Sequence, residues 1–118
     1  MKIKKIRSLD DWEKFKKLTA EGNELIIFKY SPFCPTSHYV EHEFDEWCRN
    51  INGNKVKVAK INVISARSVS NNIARELNVA HESPQLIWLD ENGNVKWHAS
   101  HYKIDEKDLY QLLKTREK

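Results

Sequence analysis

Cys34 is the residue of this 118-residue chain best placed for chemistry, because a buried strand is predicted before it and a helix after it. Pro35 follows it, and proline suits the first position of a helix, where the backbone N–H has no partner. The sulfur is therefore expected at the positive end of the helix, near unpaired N–H groups. That environment favours the nucleophilic thiolate, so the pKa of Cys34 is predicted to lie below the usual value of about 8.5.

Cys48 is the second cysteine and lies on the same predicted helix. At about 1.5 Å per residue, the sulfurs of Cys34 and Cys48 should be ~20 Å apart, which is far beyond bridging distance. No disulfide between them is expected. Cys48 follows Trp47 in a mostly apolar stretch, so we interpret it as a small core residue.

Two histidines on this helix suggest a metal site, because His38, Glu41 and His42 match the H-x-x-E-H pattern of a class of zinc proteases. Cys34, His38 and His42 would also share one helical face. A protease would need a further carboxylate ligand and a substrate cleft, which a chain of this length can hardly supply. We therefore predict no metal and interpret His38 as a solvated residue one turn from Cys34.

Hydrophobic periodicity predicts the element order β-α-β-α-β-α-β-β-α within a single domain, residues 1–118. Ser8 is predicted to cap the first helix, and Ser65 or Ser68 the third. An Asn-Gly turn at 90–94 should join the last two strands, since it supplies positive φ at little cost. The predicted strands are 2–7, 24–30, 55–63, 84–89 and 95–100. The first, second and fourth predicted helices are 8–22, 35–50 and 105–113. The third predicted helix has a buried face made of Val69, Ile73, Ala74 and Leu77.

The composition excludes several classes of partner. The 20 basic and 17 acidic residues are interspersed, so the net charge of +3 predicts a solvated surface and no nucleic-acid partner. No apolar stretch is long enough to span a bilayer, and the N-terminus lacks the apolar segment of a signal peptide, so we expect no membrane association. Two cysteines without an export signal suggest a reducing compartment, and a cytoplasmic location is expected.

The order of elements, with Cys34 before a helix and Ser83-Pro84 before the hairpin strand, resembles the thioredoxin fold. This is an α/β fold with a central mixed sheet and helices on both faces. In it a cis-proline lies beside the cysteine, which implies a cis bond at Ser83–Pro84. The segments KYSPFCPTS (29–37) and HESPQ (81–85) are similar to monothiol bacilliredoxin-like proteins of the YtxJ type, small cytoplasmic proteins linked to bacillithiol.

The resemblance implies a role for each residue of the site. Cys34 would be the redox-active residue, and Ser37 stands where dithiol oxidoreductases have their second cysteine. Its hydroxyl can donate a hydrogen bond to the thiolate but cannot close a disulfide. Cys34 should therefore form mixed disulfides that are resolved by a thiol from solution. The residues expected to contact substrate are Phe33, Pro35, Thr36, Ser83 and Pro84, although Phe33 could instead be a simple loop anchor.

Two functions are compatible with these residues. The first is a monothiol thiol-disulfide oxidoreductase that removes bacillithiol from S-thiolated client proteins, with bacillithiol as co-substrate and no bound cofactor. The second is a non-enzymatic binding module, or a thiol-based redox sensor, in which Cys34 is a passive redox mark. Pro35 and Ser37 favour the enzyme because they serve thiolate chemistry, whereas the missing resolving cysteine keeps the second function open.

Overall fold

The computed structural model describes residues 3–50 and 55–100, which form a five-stranded mixed sheet with helices packed on both faces. None of the helices in these two ranges is long and apolar enough to cross a membrane. The strands are β1 (Ile3–Ile6), β2 (Glu24–Tyr30), β3 (Val56–Asn62), β4 (Gln85–Leu89) and β5 (Val95–Ser100), and the helices are α1 (Leu9–Lys16), a 3₁₀ helix (Lys17–Glu21), α2 (Pro35–Asn50) and α3 (Arg67–Leu77).

Strand order places β2 at the centre of the sheet, in the sequence β1-β3-β2-β4-β5. β3 runs parallel to β1 and to β2, whereas β4 is antiparallel to both β2 and β5. Lys29 near the end of β2 pairs with Gln85 at the start of β4. The loop that follows β2 and the loop that precedes β4 therefore meet at the same edge of the sheet.

Side chains of β2 alternate between two separate cores, as expected of a strand covered on both faces. Ile26 and Phe28 pack with α2, and Leu25 and Ile27 pack with α1 and α3. The four residues of α2 in the first core are Val40, Phe44, Trp47 and Cys48. The prediction of a doubly buried strand followed by an amphipathic helix is confirmed, with both elements at the predicted bounds.

Helix α1 begins as predicted, because the Ser8 Oγ accepts a hydrogen bond from the Asp11 N–H at 3.1 Å. The prediction for α3 is wrong, since its N-cap is Ala66 and no side chain caps it. The side chain that orders this turn is Asn62, whose Oδ1 accepts the N–H groups of Ile64 and Ser65. Asn62, at the end of β3, thus accepts backbone N–H groups before α3, which is the role that was predicted for a serine cap.

The face of α3 was also predicted too broadly. Val69 and Ile73 are buried, but Ala74 and Leu77 are only half-buried, and of these two Leu77 packs against the second core. The hairpin turn forms at 90–94 as predicted, with Gly93 at a φ of +84°. The predicted last helix, 105–113, lies outside the described residues.

Candidate active site

Cys34 occupies the N-cap of α2 and is half-buried. Its N–H donates to the carbonyl of Ser31 at 3.3 Å, which closes a turn directly after β2. Its own carbonyl accepts the N–H of His38 at 3.2 Å, as the first hydrogen bond of the helix. The position at the positive end of the helix dipole is the one predicted from Pro35.

Ser37 is completely buried in the first turn of α2. Its Oγ accepts a hydrogen bond from the N–H of Ser31 at 3.2 Å, so it anchors the turn that carries Cys34. A serine hydroxyl that accepts one bond still has its hydrogen to donate. The predicted bond to the Cys34 thiolate therefore stays a prediction, whereas the anchoring role was missed by the sequence analysis.

His38 holds the same turn from its other side. Its Nε2 donates to the carbonyl of Pro32 at 2.7 Å, so the side chain is exposed but not merely solvated as interpreted from the sequence. With Ser37, two neighbouring residues of α2 bind the backbone of the preceding turn. Polar side chains in the first turn of a helix, directly after a Ser-Pro turn, are the sequence signal that could have predicted this arrangement.

Phe33 is 81% exposed in the turn before Cys34. A residue that anchored its loop would be buried, so the anchor alternative is wrong. Pro35 is exposed as well, and Thr36 lies in the first turn of α2. An apolar ring beside the cysteine is thus presented to solvent.

The Ser83–Pro84 peptide bond is cis, as the sequence resemblance implied. Pro84 is buried, and β4 begins at the next residue. Because β4 pairs antiparallel with β2, this loop lies at the sheet edge where Cys34 also lies. The Ser83 Oγ and the Gln85 Oε1 are buried, and neither has a hydrogen-bond partner within the described ranges.

Comparison with known proteins agrees with this geometry. Residues 4–109 match the model of the family described as Monothiol bacilliredoxin BrxC. The chain belongs to this family. A solved structure described as a candidate oxidoreductase with a thioredoxin fold is 27% identical with a TM-score of 0.78, over 92% of this chain and 91% of that one.

Thioredoxins share the architecture of this bacilliredoxin-family chain at lower identity. The thioredoxin of Fasciola hepatica is 19% identical with a TM-score of 0.69, over 98% of this chain and 99% of that one. The thioredoxin of Malassezia sympodialis is 18% identical with a TM-score of 0.70, over 98% and 93%. The fold is the thioredoxin fold, as predicted, and family and fold together indicate thiol-disulfide redox chemistry.

Lys29 is a buried residue of this site region that the sequence analysis missed. Its side chain is completely inaccessible, and its Nζ donates to the Ser70 carbonyl at 3.0 Å and to the His81 Nδ1 at 3.4 Å. Burial lowers the pKa of Lys29 to about 8. Burial, and then the charges of Lys29 and Arg67, lower the pKa of His81. The cluster ties β2 and α3 to the loop that leads to Pro84.

Glu41 of the H-x-x-E-H pattern is engaged in an ion pair. The Lys60 Nζ lies 2.7 Å from both the Glu41 Oε2 and the Asp45 Oδ1. Burial opposes the charge of Lys60, but hydrogen bonds to the two carboxylates outweigh it and raise its pKa. Among residues 3–50 and 55–100, no cluster of His, Cys, Asp and Glu is arranged to hold a metal ion.

Cys48 is buried in the core between α2 and the sheet, which confirms its interpretation as a small core residue. Burial raises the pKa of its thiol to about 12, with a further contribution from Asp45. A thiol of that pKa is not a nucleophile near neutral pH, since only the thiolate reacts. Of the two cysteines, Cys34 is therefore the candidate nucleophile.

Proposed function

We propose that this protein is a monothiol oxidoreductase that removes bacillithiol from mixed disulfides on client proteins. The observation that supports this most directly is the helix N-cap position of Cys34, with serine rather than cysteine at position 37. The choice of bacillithiol as the small thiol rests on the family of the chain, which is described as monothiol bacilliredoxin. The proposed reaction has no bound cofactor and no metal.

The first step transfers bacillithiol from the client to the enzyme. The Cys34 thiolate attacks the bacillithiol sulfur of the client mixed disulfide. The client–bacillithiol S–S bond breaks, and the client cysteine leaves as a thiolate. Cys34 then carries bacillithiol in a new disulfide, and the client has regained its thiol.

The second step regenerates the enzyme. Ser37 has no thiol with which to displace bacillithiol, so a second molecule of bacillithiol must attack as its thiolate. The products are bacillithiol disulfide and the Cys34 thiolate. Reduction of that disulfide needs a separate reductase, and the reaction belongs in the cytoplasm, where small thiols are kept reduced.

The client is expected to dock beside the cis-proline. An extended chain can pair with exposed backbone as an added strand, and the Ser83–Pro84 loop lies at the sheet edge shared with Cys34. Ser83 is half-buried, so this loop keeps some exposed surface for a docked client, although the Ser83 Oγ itself is buried. Phe33 adds exposed apolar surface, and Pro35 and Thr36 complete the predicted contact set.

The test is release of client thiol from a protein bearing one bacillithiol. We expect turnover by wild type with excess bacillithiol, none by Cys34→Ala, and nearly full activity of the matched variant Cys48→Ser. Mass spectrometry after one cycle without free thiol should find bacillithiol on Cys34. If Cys34 acquires the adduct but no client thiol is released catalytically, the redox-sensor function becomes the better account.

A further inference from the structure

A cavity of about 360 Å³ lies at the C-terminal ends of the parallel strands β1, β3 and β2. We call it the basic cavity. Crevices outside the carboxyl ends of parallel strands are common ligand sites in α/β proteins. The polar residues that line it are Lys5, Arg7, Tyr30, Lys60, Asn62 and Ser65.

The lining of the basic cavity offers hydrogen-bond donors more than acceptors. Lys5 and Arg7 are exposed, and neither is in an ion pair with any residue that the structure describes. The Asn62 Oδ1 already accepts the N–H groups of Ile64 and Ser65 at 2.9 and 3.1 Å, which leaves its amide N–H groups to donate. Such a lining is complementary to an anion, and arginine is suited to bind a carboxylate through two parallel bonds.

Lys60 connects the basic cavity to the helix that carries the site. Its charge is outweighed by the two carboxylates of Glu41 and Asp45 on α2. Lys5 and Arg7 therefore leave this region with one net positive charge, and they are the cations of the cavity that no described carboxylate pairs with. The Tyr30 ring stacks on Phe28, with centroids 6.5 Å apart, in the core beneath α2. The cavity therefore lies at the strand ends and adjoins the α2 face, while Ile6 and Ala66 of the second core line its other side.

The basic cavity is close to Cys34 along the backbone. The turn from Ser31 to Cys34 is closed by a 3.3 Å hydrogen bond, and the end Cα atoms of such a turn are less than about 7 Å apart. Tyr30 adds one step of about 3.8 Å. Its Cα thus lies within about 11 Å of the Cα of Cys34, a span comparable to an extended tripeptide of ~10 Å.

We propose that the basic cavity binds the carboxylates of a low-molecular-weight thiol whose sulfur is joined to Cys34. The proposal rests on the proposed function and deepens it, since it names the part of the small thiol that is recognised. Bacillithiol has the required chemistry because its malyl group carries carboxylates. The cavity then selects the sulfur that Cys34 attacks, by binding the thiol half of the client mixed disulfide.

The reaction used for the test is exchange with a symmetrical small disulfide. The Cys34 thiolate attacks one sulfur, the S–S bond of the reagent breaks, and the other half leaves as a thiolate. Bacillithiol disulfide bears carboxylates, and hydroxyethyl disulfide is neutral. The rate with the neutral reagent reports Cys34 reactivity alone, and the ratio of the two rates reports recognition of charge.

The variant Lys5→Gln/Arg7→Gln removes two positive charges from the basic cavity. The matched control, Lys4→Gln/Lys57→Gln, removes two exposed charges from β1 and β3 at positions that alternate to the opposite face. Adduct formation at Cys34 is followed by mass spectrometry. We expect the first variant to react about ten-fold more slowly with bacillithiol disulfide, as for the loss of two exposed ion pairs. With hydroxyethyl disulfide its rate should stay within about twofold of wild type.

The control variant should keep the wild-type preference for bacillithiol disulfide. Equal slowing with both reagents, an unchanged ratio, or the same loss in the control would overturn the basic cavity as a carboxylate site. If Cys34 reacts with neither reagent, the proposed function fails instead, and NMR titration with S-methyl bacillithiol decides about the cavity. Shifts of the Asn62 and Ser65 amides that vanish in Lys5→Gln/Arg7→Gln support the site, and their absence refutes it.

Discussion

The buried ammonium of Lys29 predicts an unusual dependence of stability on pH. In the folded protein burial lowers the pKa of Lys29 to about 8, against an ordinary value of 10.5 in the unfolded chain. Between these two pH values the unfolded state binds more protons than the folded state. The free energy of unfolding therefore rises as pH increases from about 8 to 10.5. The same gain is lost when pH falls from 10.5 through the folded pKa of about 8.

The size of the effect follows from the separation of the two pKa values. Each pH unit between them corresponds to about 1.4 kcal/mol, so Lys29 should add about 3 kcal/mol to the free energy of unfolding by pH 10.5. The variant Lys29→Met lacks the titrating group but fills a similar volume. It also loses the bonds to Ser70 and His81, and that cost is constant in this range because His81 is neutral throughout.

The assay is urea unfolding of wild type and Lys29→Met under reducing conditions, followed by tryptophan fluorescence from pH 7.5 to 10.5. Across this range, the free energy of unfolding of wild type minus that of Lys29→Met should increase by about 3 kcal/mol. Lys57→Met is the matched control, because Lys57 is exposed on β3 and its difference from wild type should stay flat. A Lys29→Met difference constant to within about 1 kcal/mol would refute the desolvated ammonium as the cause.

Three further predictions concern the cysteines and the turn between β2 and α2. Alkylation of Cys34 by iodoacetamide should reach half its maximal rate below pH 8.5, because the usual pKa of a thiol is about 8.5 and the helix N-terminus favours the thiolate. A rate that rises only above about pH 8.5 would contradict the thiolate-favouring environment. Ser37→Ala should lower the unfolding free energy by about 1–3 kcal/mol, because the N–H of Ser31 loses its acceptor; unchanged urea unfolding would show that the bond contributes nothing. Mild oxidation followed by non-reducing peptide mapping should find no intramolecular Cys34–Cys48 disulfide, and finding one without unfolding would mean that α2 is broken.

Local sequence was sufficient for the elements that carry Cys34. The apolar run of residues predicts β2 without help from the rest of the chain. Proline after the cysteine predicts the start of α2, and the helical spacing of its buried residues predicts the helix itself. The position of Cys34 at a helix N-cap followed from these signals. The cap of α3 could not be predicted in the same way, because Asn62 competes for the turn from the end of the preceding strand.

The cluster of Lys29, Ser70 and His81 could not be predicted from local sequence patterns. Lys29 is separated in sequence from Ser70 and His81, and only the packing of α3 against the sheet brings the three together. A lysine inside an apolar run was a visible signal, but sequence alone does not tell whether its charge reaches solvent. The same limit applies to Lys60, whose two carboxylate partners come from α2.

The sequence by itself predicted Cys34 as the candidate nucleophile and the order of the elements in the described ranges, since both predictions depend on neighbouring residues and short-range periodicity. Tertiary structure alone decided what surrounds Cys34. Pairing of β4 with β2 brings Pro84 to the edge where Cys34 lies, and the parallel alignment of β1, β3 and β2 assembles the basic cavity from three distant segments. Contacts between such segments depend on which strands pair and on how the layers pack, and the residues that meet are far apart in the sequence.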